Sequence, residues 1–288
     1  MRVADIDREI ETARSAGPLR DIVIQPCPAL LTDLRVEINR EDPEPATIAK
    51  IASRDVAMAA ALIRVANSPI YARSRTASTV AEAVAMLGIG QTVSILTGFL
   101  LREAITAKSP LLEHFWETST RRAYAMGYIA RQMYGMNADI AHTCGLFCHV
   151  GLPIMLQALA GYEATLNVAL HGEQAFTLVE NQAHRTDHAV VGAIVAKTWR
   201  LPPIVAIAVR LHHDFTVLRD EHIPADVRML VAMSLLAEHL VVLHEGQPEH
   251  AEWDQHGAAC LAHLHVSEGE IDHWLDALHP QFDGPAGF

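Results

Sequence analysis

A chain of 288 residues that is 50% hydrophobic and 19% charged is long enough for one large core or two modest ones, and too apolar for intrinsic disorder. Its formal net charge of −12 repels a phosphate backbone, so nucleic-acid binding would need a local basic patch, and none is prominent. Four cysteines, Cys27, Cys144, Cys148 and Cys260, are too few and too irregular for a disulfide framework, and the charged N-terminus has no apolar core. The most apolar segment, Val93 to Leu101, is about half the ~20 residues of a membrane span, so the expectation is a soluble cytoplasmic protein without membrane contact.

Apolar residues recur at spacings of three and four almost throughout, and no stretch sustains an alternation of period two, so the chain reads as all-α. In "SRDVAMAAALIRVANSPIY", Val56, Ala59, Leu62, Ile63 and Ala66 share one face. Ser53 is placed as the N-cap, Asp55 faces the helix dipole in the first turn, and Asn67 with Ser68 ends the run. Ser68 followed by Pro69 resembles the cap and first position of a new turn. In "TVAEAVAMLG", Thr79 and Glu82 stand at capping-box spacing and Gly88 supplies a left-handed stop. "TVSILTGFLLREAI" is apolar on most sides and is expected at the centre of the packing. The stretch from Ala107 to Leu112 is the best internal boundary. Helices are then expected over 113–134, 139–148, 152–160 and 187–199. Pro202 and Pro203 begin another that ends at His212 and His213; one more covers 226–243, and a weak one lies at 267–278 within a polar, histidine-rich tail.

Five blocks, "PCPAL", "IASRDVAMAAALIRVANSPIY", "AEAVAMLGIGQTV", "CGLFCHVG" and "HAVVGAIVAKTWRLPPIVAIAVRLHH", resemble in sequence and order the signature blocks of the HDOD family, the HD-related output domains of bacterial signalling proteins. The resemblance covers about Ile24 to Leu240. It implies a two-lobed helical fold: an N-terminal helical lobe, 1–108, and a second lobe, 109–245, similar to HD phosphohydrolases but usually without their metal ligands. Residues 246–288 are left as a C-terminal helical extension. The resemblance further implies a non-catalytic regulator connected with two-component or cyclic-di-nucleotide signalling, with signalling proteins as partners.

A metal-dependent HD site resembles a first His, an adjacent His-Asp pair, further His residues and a late Asp, because a pair of hard cations takes several nitrogen and carboxylate ligands around an open water position. Matched residue by residue, Thr118 in "WETS" stands at the first His, Cys148 and His149 at the pair, and Ser234 in "RMLVAMSLL" at the late Asp. His188, His212 and His213 remain. Without the bridging Asp, these three nitrogens are expected to hold at most one ion weakly. The pocket therefore reads as vestigial, with no cofactor, no metal and no phosphohydrolysis.

A second metal reading places His142, Cys144, Cys148 and His149 together. On a continuous helix the two thiols share one face and the two imidazoles another, so the four do not converge on one zinc. Cys144 and Cys148 then read as small buried apolar residues. The histidines from His239 to His279 show no ligand spacing and read as a solvated tail. His212 and His213 close a helix, where an imidazole can cap carbonyls or anchor an anion. Arg54, Arg64, Arg73 and Arg75 flank Asn67 and Tyr71, which suggests a patch for an acidic partner or a nucleotide phosphate. Against this stands a structural role, with Asn67 capping a helix and Tyr71 packing on the neighbouring lobe. The expectation is a non-enzymatic module acting by protein contact; a small-molecule sensor whose pocket binds a nucleotide, and a divergent phosphohydrolase, are the alternatives.

Overall fold

The computed structural model describes residues 3–15, 19, 22, 24, 27–68, 71, 76–105, 110–172, 174–247 and 250–283, apart from the side chains of 15, 110–113 and 171. Among the described residues there is no strand, and sixteen α-helices follow one another: α1 (Val3–Ser15), α2 (Ala29–Ile38), α3 (Pro45–Ala52), α4 (Val56–Ala66), α5 (Val80–Leu87), α6 (Ile89–Ala104), α7 (Pro110–Gln132), α8 (Ala138–Phe147), α9 (Gly151–Ala158), α10 (Tyr162–His171), α11 (Phe176–His184), α12 (His188–Thr198), α13 (Pro203–Leu211), α14 (Ala225–His244), α15 (Ala251–Leu264) and α16 (Glu268–Phe282). The chain divides into two compact units. One comprises Pro26–Thr106 and Ala277–Phe288, the other Met1–Gln25 and Ala107–Asp276.

In the first unit α6 is the hub, with α2, α3, α4 and α5 each packed on it. Ile95, Leu96 and Leu101 are buried there, and so are Thr92 and Thr97. The two threonines tolerate burial because each donates its hydroxyl to a carbonyl one turn back, Gly88 and Val93, both at 2.7 Å. Ser53, expected to open α4, instead closes α3 and donates its Oγ to the Ala49 carbonyl at 2.7 Å. Asp55 is the N-cap of α4, its carboxylate accepting from the Met58 amide at 2.8 Å. The capping box of Thr79 and Glu82 is present, and Gly88 turns the chain at φ +77°. Asn67 is the C-cap of α4 and clamps the chain ten residues on: its Nδ2 donates to the Ala77 carbonyl at 2.8 Å, and the Ala77 amide donates to its Oδ1 at 2.7 Å. Pro69, the second half of the expected turn, lies outside the described residues.

The second unit is built on α12 and α14. Buried along most of its length, α12 packs on α1, α9, α11 and α13, while α14 packs on α7, α13 and α15. Helices α7 and α8 lie so close that a β-carbon at Gly145 would stand 2.7 Å from the Ala123 α-carbon. Two expected boundaries shift. Helix α1 belongs with α12 and α13 rather than with a lobe of 1–108, because Ile6 and Ile10 are buried, Lys197 pairs with Asp7 at 2.9 Å, and Arg210 pairs with Glu9. Residues 246–276 belong to the same unit rather than forming an extension: α15 packs on α14, and the His239 ring stacks on Trp253 with centroids 3.9 Å apart. His256 stacks on Phe215, so the reading of a solvated histidine tail is corrected for these residues.

Two stretches, Ala138–Ala158 and Ala225–His244, have the length and composition to cross a membrane, which amends the expectation drawn from Val93 to Leu101. In α14 the apolar residues serve packing: Val227, Leu230, Val231, Met233, Leu236 and Leu240 are all buried.

Candidate functional site

Three helix ends of the second unit bring four imidazoles together. His149 lies in the turn joining α8 to α9, and Gly151 lets that turn close on the first residue of α12, where a β-carbon would stand 2.1 Å from the His188 carbonyl oxygen. His188 opens α12, which is fixed by its N-cap Asp187 accepting from the Val190 amide at 2.9 Å. His212 is the C-cap of α13, with His213 next to it. One ring nitrogen from each of His149, His188, His212 and His213 falls within 4.8 Å of the others. The Nε2 of His188 is 3.2 Å from that of His212 and 3.1 Å from that of His213. Phe176 of α11 covers one side, stacked on His213 and edge-on to His188.

The outer nitrogens of three rings are each engaged. His188 Nδ1 donates to Glu180 at 2.7 Å, His213 Nδ1 to Glu252 at 2.8 Å, and His212 Nδ1 to the Val209 carbonyl at 2.7 Å. Glu180, fully buried, also accepts from the His188 amide at 3.2 Å and from the Tyr162 hydroxyl. The fourth ring, His149, has its Nε2 2.6 Å from Glu238 Oε1, and Arg122 Nε is 3.1 Å from the same oxygen. Neither approach is aligned as a hydrogen bond; Arg122 and Glu238 form a charge pair with the His149 ring lying against it.

Burial holds His149 well below the usual imidazole range, the Arg122 guanidinium adds to the effect, and Glu238 opposes it. His212 is likewise depressed by burial and by the neighbouring histidines. For His213 burial works against the charge, yet the Glu252 carboxylate prevails and lifts the group to about 9. Burial disfavours the charge on Glu238 too, but His149 and Arg122 hold its carboxyl well below the usual range.

Of the positions matched to an HD site, the structure unites His149, His188, His212 and His213 and leaves out the others. The set is therefore four imidazoles, against the three expected. Cys148 turns its Sγ to Cys144, 3.9 Å away, and both thiols are buried, as small apolar residues would be. Ser234 donates its Oγ to the Val231 carbonyl at 2.8 Å. Thr118 on α7 has a buried hydroxyl without a hydrogen-bond partner. His142 stands outside the cluster, edge-on to Tyr124. Glu180, Glu238, Glu252, Arg122 and Tyr162 went unread in the sequence. Two had a signal: Arg122 and Glu238 stand one turn after Thr118 and Ser234, on the same helix faces.

Such a donor set suits one ion that accepts imidazole. It does not suit a pair of hard cations, since among the described residues no carboxylate oxygen joins the converging nitrogens. In the other unit, Arg54 pairs with Asp33, Arg64 is exposed in the last turn of α4, and the Tyr71 amide donates to the Ser68 carbonyl at 3.1 Å. Arg73 and Arg75 lie outside the described residues.

The family model of the HDOD domain matches residues 24–215, about two thirds of the chain. The chain belongs to the HDOD family. This HDOD protein is similar over 257 residues, at 23% identity, to an uncharacterized protein of Treponema pallidum (strain Nichols); the match takes in 84% of the chain and 47% of the relative, so the chain spans about half the length of the curated relative it matches. Among solved structures it is similar to an HDOD domain protein with unknown function from Geobacter sulfurreducens, with a TM-score of 0.74 at 20% identity, over 96% of this chain and 98% of that one. A protein of Shewanella amazonensis SB2B, provisionally named a phosphohydrolase, gives a TM-score of 0.75 at 19% identity over 94% and 97% of the two chains. At these identities the likeness establishes the HDOD fold.

Proposed function

We propose that this HDOD protein is a non-catalytic signalling module of the cytoplasm that works through protein contacts, with proteins of two-component or cyclic-di-nucleotide systems as partners. One observation carries the reading. Where a hydrolytic HD site would place its first His, its His-Asp pair with the bridging carboxylate, and its late Asp, Thr118, Cys148 with His149, and Ser234 stand, and Cys148 and Ser234 direct their polar atoms to Cys144 and Val231. Phosphoester hydrolysis of the HD type needs a water activated by metal ions that such carboxylates hold. Around the four rings, Glu180 and Glu252 are committed to Nδ1 atoms and Glu238 to Arg122 and His149. Four unbridged thiols agree with a reducing compartment.

The test has two arms. Cyclic di-nucleotides and simple phosphodiesters are incubated with the protein and added manganese, iron or magnesium; turnover should not exceed the protein-free control. Co-purification from the native organism is run beside it, with Arg64→Glu reversing the exposed charge on α4, and should recover a signalling protein whose yield falls in the variant. Turnover that disappears in His188→Gln would establish the phosphohydrolase instead. A cyclic di-nucleotide that raises the melting temperature without being cleaved would establish a nucleotide sensor.

A further inference from the structure

We infer that His149, His188, His212 and His213 form a mononuclear site for one late first-row divalent transition ion, zinc foremost. The inference concerns the rings and does not depend on the signalling role. It starts from the hydrogens. The Val209 carbonyl can only accept, so Nδ1 of His212 carries a hydrogen and its Nε2 is a bare lone pair. The carboxylates of Glu180 and Glu252 likewise place a hydrogen on Nδ1 of His188 and His213, which turns the Nε2 of each towards the centre. Three Nε2 atoms then converge across 3.1 and 3.2 Å in a buried place. Such an arrangement calls for a cation at the centre. A proton on one ring would satisfy one of these contacts and leave the other unmet.

The spacing identifies the cation. Four nitrogens about 2.0 Å from a tetrahedral ion are about 3.3 Å apart, close to the two separations observed, and a ring nitrogen of His149 lies within 4.8 Å as the fourth donor. A carboxylate or carbonyl on the outer nitrogen is the arrangement that orients metal-binding imidazoles and strengthens them as donors. The formal charges of Glu180, Glu238, Glu252 and Arg122 leave two negative charges around the four rings, which a divalent cation neutralises. Magnesium and calcium take oxygen donors, and this donor set has none; imidazole favours zinc, copper, nickel or iron, and the tetrahedral spacing favours zinc among them. Four protein donors would leave such an ion no open position, so it would tie the α8–α9 turn to the ends of α12 and α13.

Tag-free full-length protein, stripped with chelator and dialysed, is titrated with Zn²⁺ and then with Co²⁺ as an optical probe. The expected result is one equivalent bound, a raised melting temperature, and the intense visible bands of tetrahedral four-nitrogen Co²⁺. The double variant His188→Gln, His213→Gln should lose all three, while His222→Ala, an exposed histidine outside the cluster, should keep them. If the double variant does not fold, Glu252→Gln retains all four rings and should bind about 10–100-fold more weakly. No bound Zn²⁺ or Co²⁺, or binding unchanged in both the ring and Glu252 variants, would overturn the inference. Two equivalents of manganese with phosphodiester turnover would overturn both it and the non-catalytic reading. One equivalent of zinc without turnover supports the site even where no protein partner is recovered.

Discussion

The carbonyl oxygen of His188 lies 2.1 Å from the point a β-carbon on residue 151 would occupy, so that α9 and α12 meet through Gly151. This contact explains the last letter of "CGLFCHVG" as a packing requirement, and Gly145 against Ala123 explains the earlier glycine in the same way.

Gly151→Ala is therefore expected to push α9 away from α12. The neighbour is backbone and cannot rotate aside, so the loss should reach or exceed the about 1–3 kcal/mol typical of overpacking. A urea unfolding midpoint within error of wild type would show that the helices can part without cost.

Tyr162 tests the outer support of the cluster. Its hydroxyl donates to Glu180, which in turn holds His188, and burial with the adjacent carboxylate keeps the phenol protonated far above its ordinary range. Tyr162→Phe removes a hydrogen bond to a buried charged group, a loss of about 1.5–3 kcal/mol, and should shift the His188 ring resonances. Unchanged stability with unmoved His188 signals would mean that Glu180 is held without Tyr162.

In the other unit, Asn67→Ala deletes both bonds to Ala77. At about 0.5–1.5 kcal/mol each, the expected destabilisation is about 1–3 kcal/mol, read by thermal or urea unfolding. Loss of partner binding with stability intact would instead assign Asn67 to an interface.

His142 should make stability pH-dependent in acid. Burial, with a smaller contribution from Arg131, lowers the group from 6.5 to about 3 in the folded protein. Between these values the unfolded chain binds a proton that the folded one refuses. The contribution is whole above pH 6.5 and is lost as pH falls towards 3, at up to roughly 1.4 kcal/mol per pH unit. His142→Leu should flatten the acid limb by one proton's share; an unchanged slope would show that the imidazole is already protonated or exposed at neutral pH.

Local signals carried most of the fold. Thr79 with Glu82 and Gly88 act through neighbours in sequence, so their spacing announced the helix they enclose. Ser53 shows the limit of such reading, since both it and Asp55 can cap, and only the end of α3 decides which does so. The site was half legible for a related reason. Its rings lie in recognisable blocks, but the fourth imidazole depends on a turn that brings His149 onto α12, and Glu180 and Glu252 sit in polar stretches without periodic signal. Helix α1 was missed because a charged surface disguised the two isoleucines, Ile6 and Ile10, that it buries.

The matched segment 24–215 holds all four imidazoles and Glu180, yet it stops before Glu238 and Glu252 and begins after α1. A fragment trimmed to those limits would keep its rings and lose the anchors of two of them. It would also uncover the sides of α12 and α13 on which α1 rests. For this protein the segment that the family model matches is shorter than the unit that folds, and expression cut to those limits is expected to yield insoluble material.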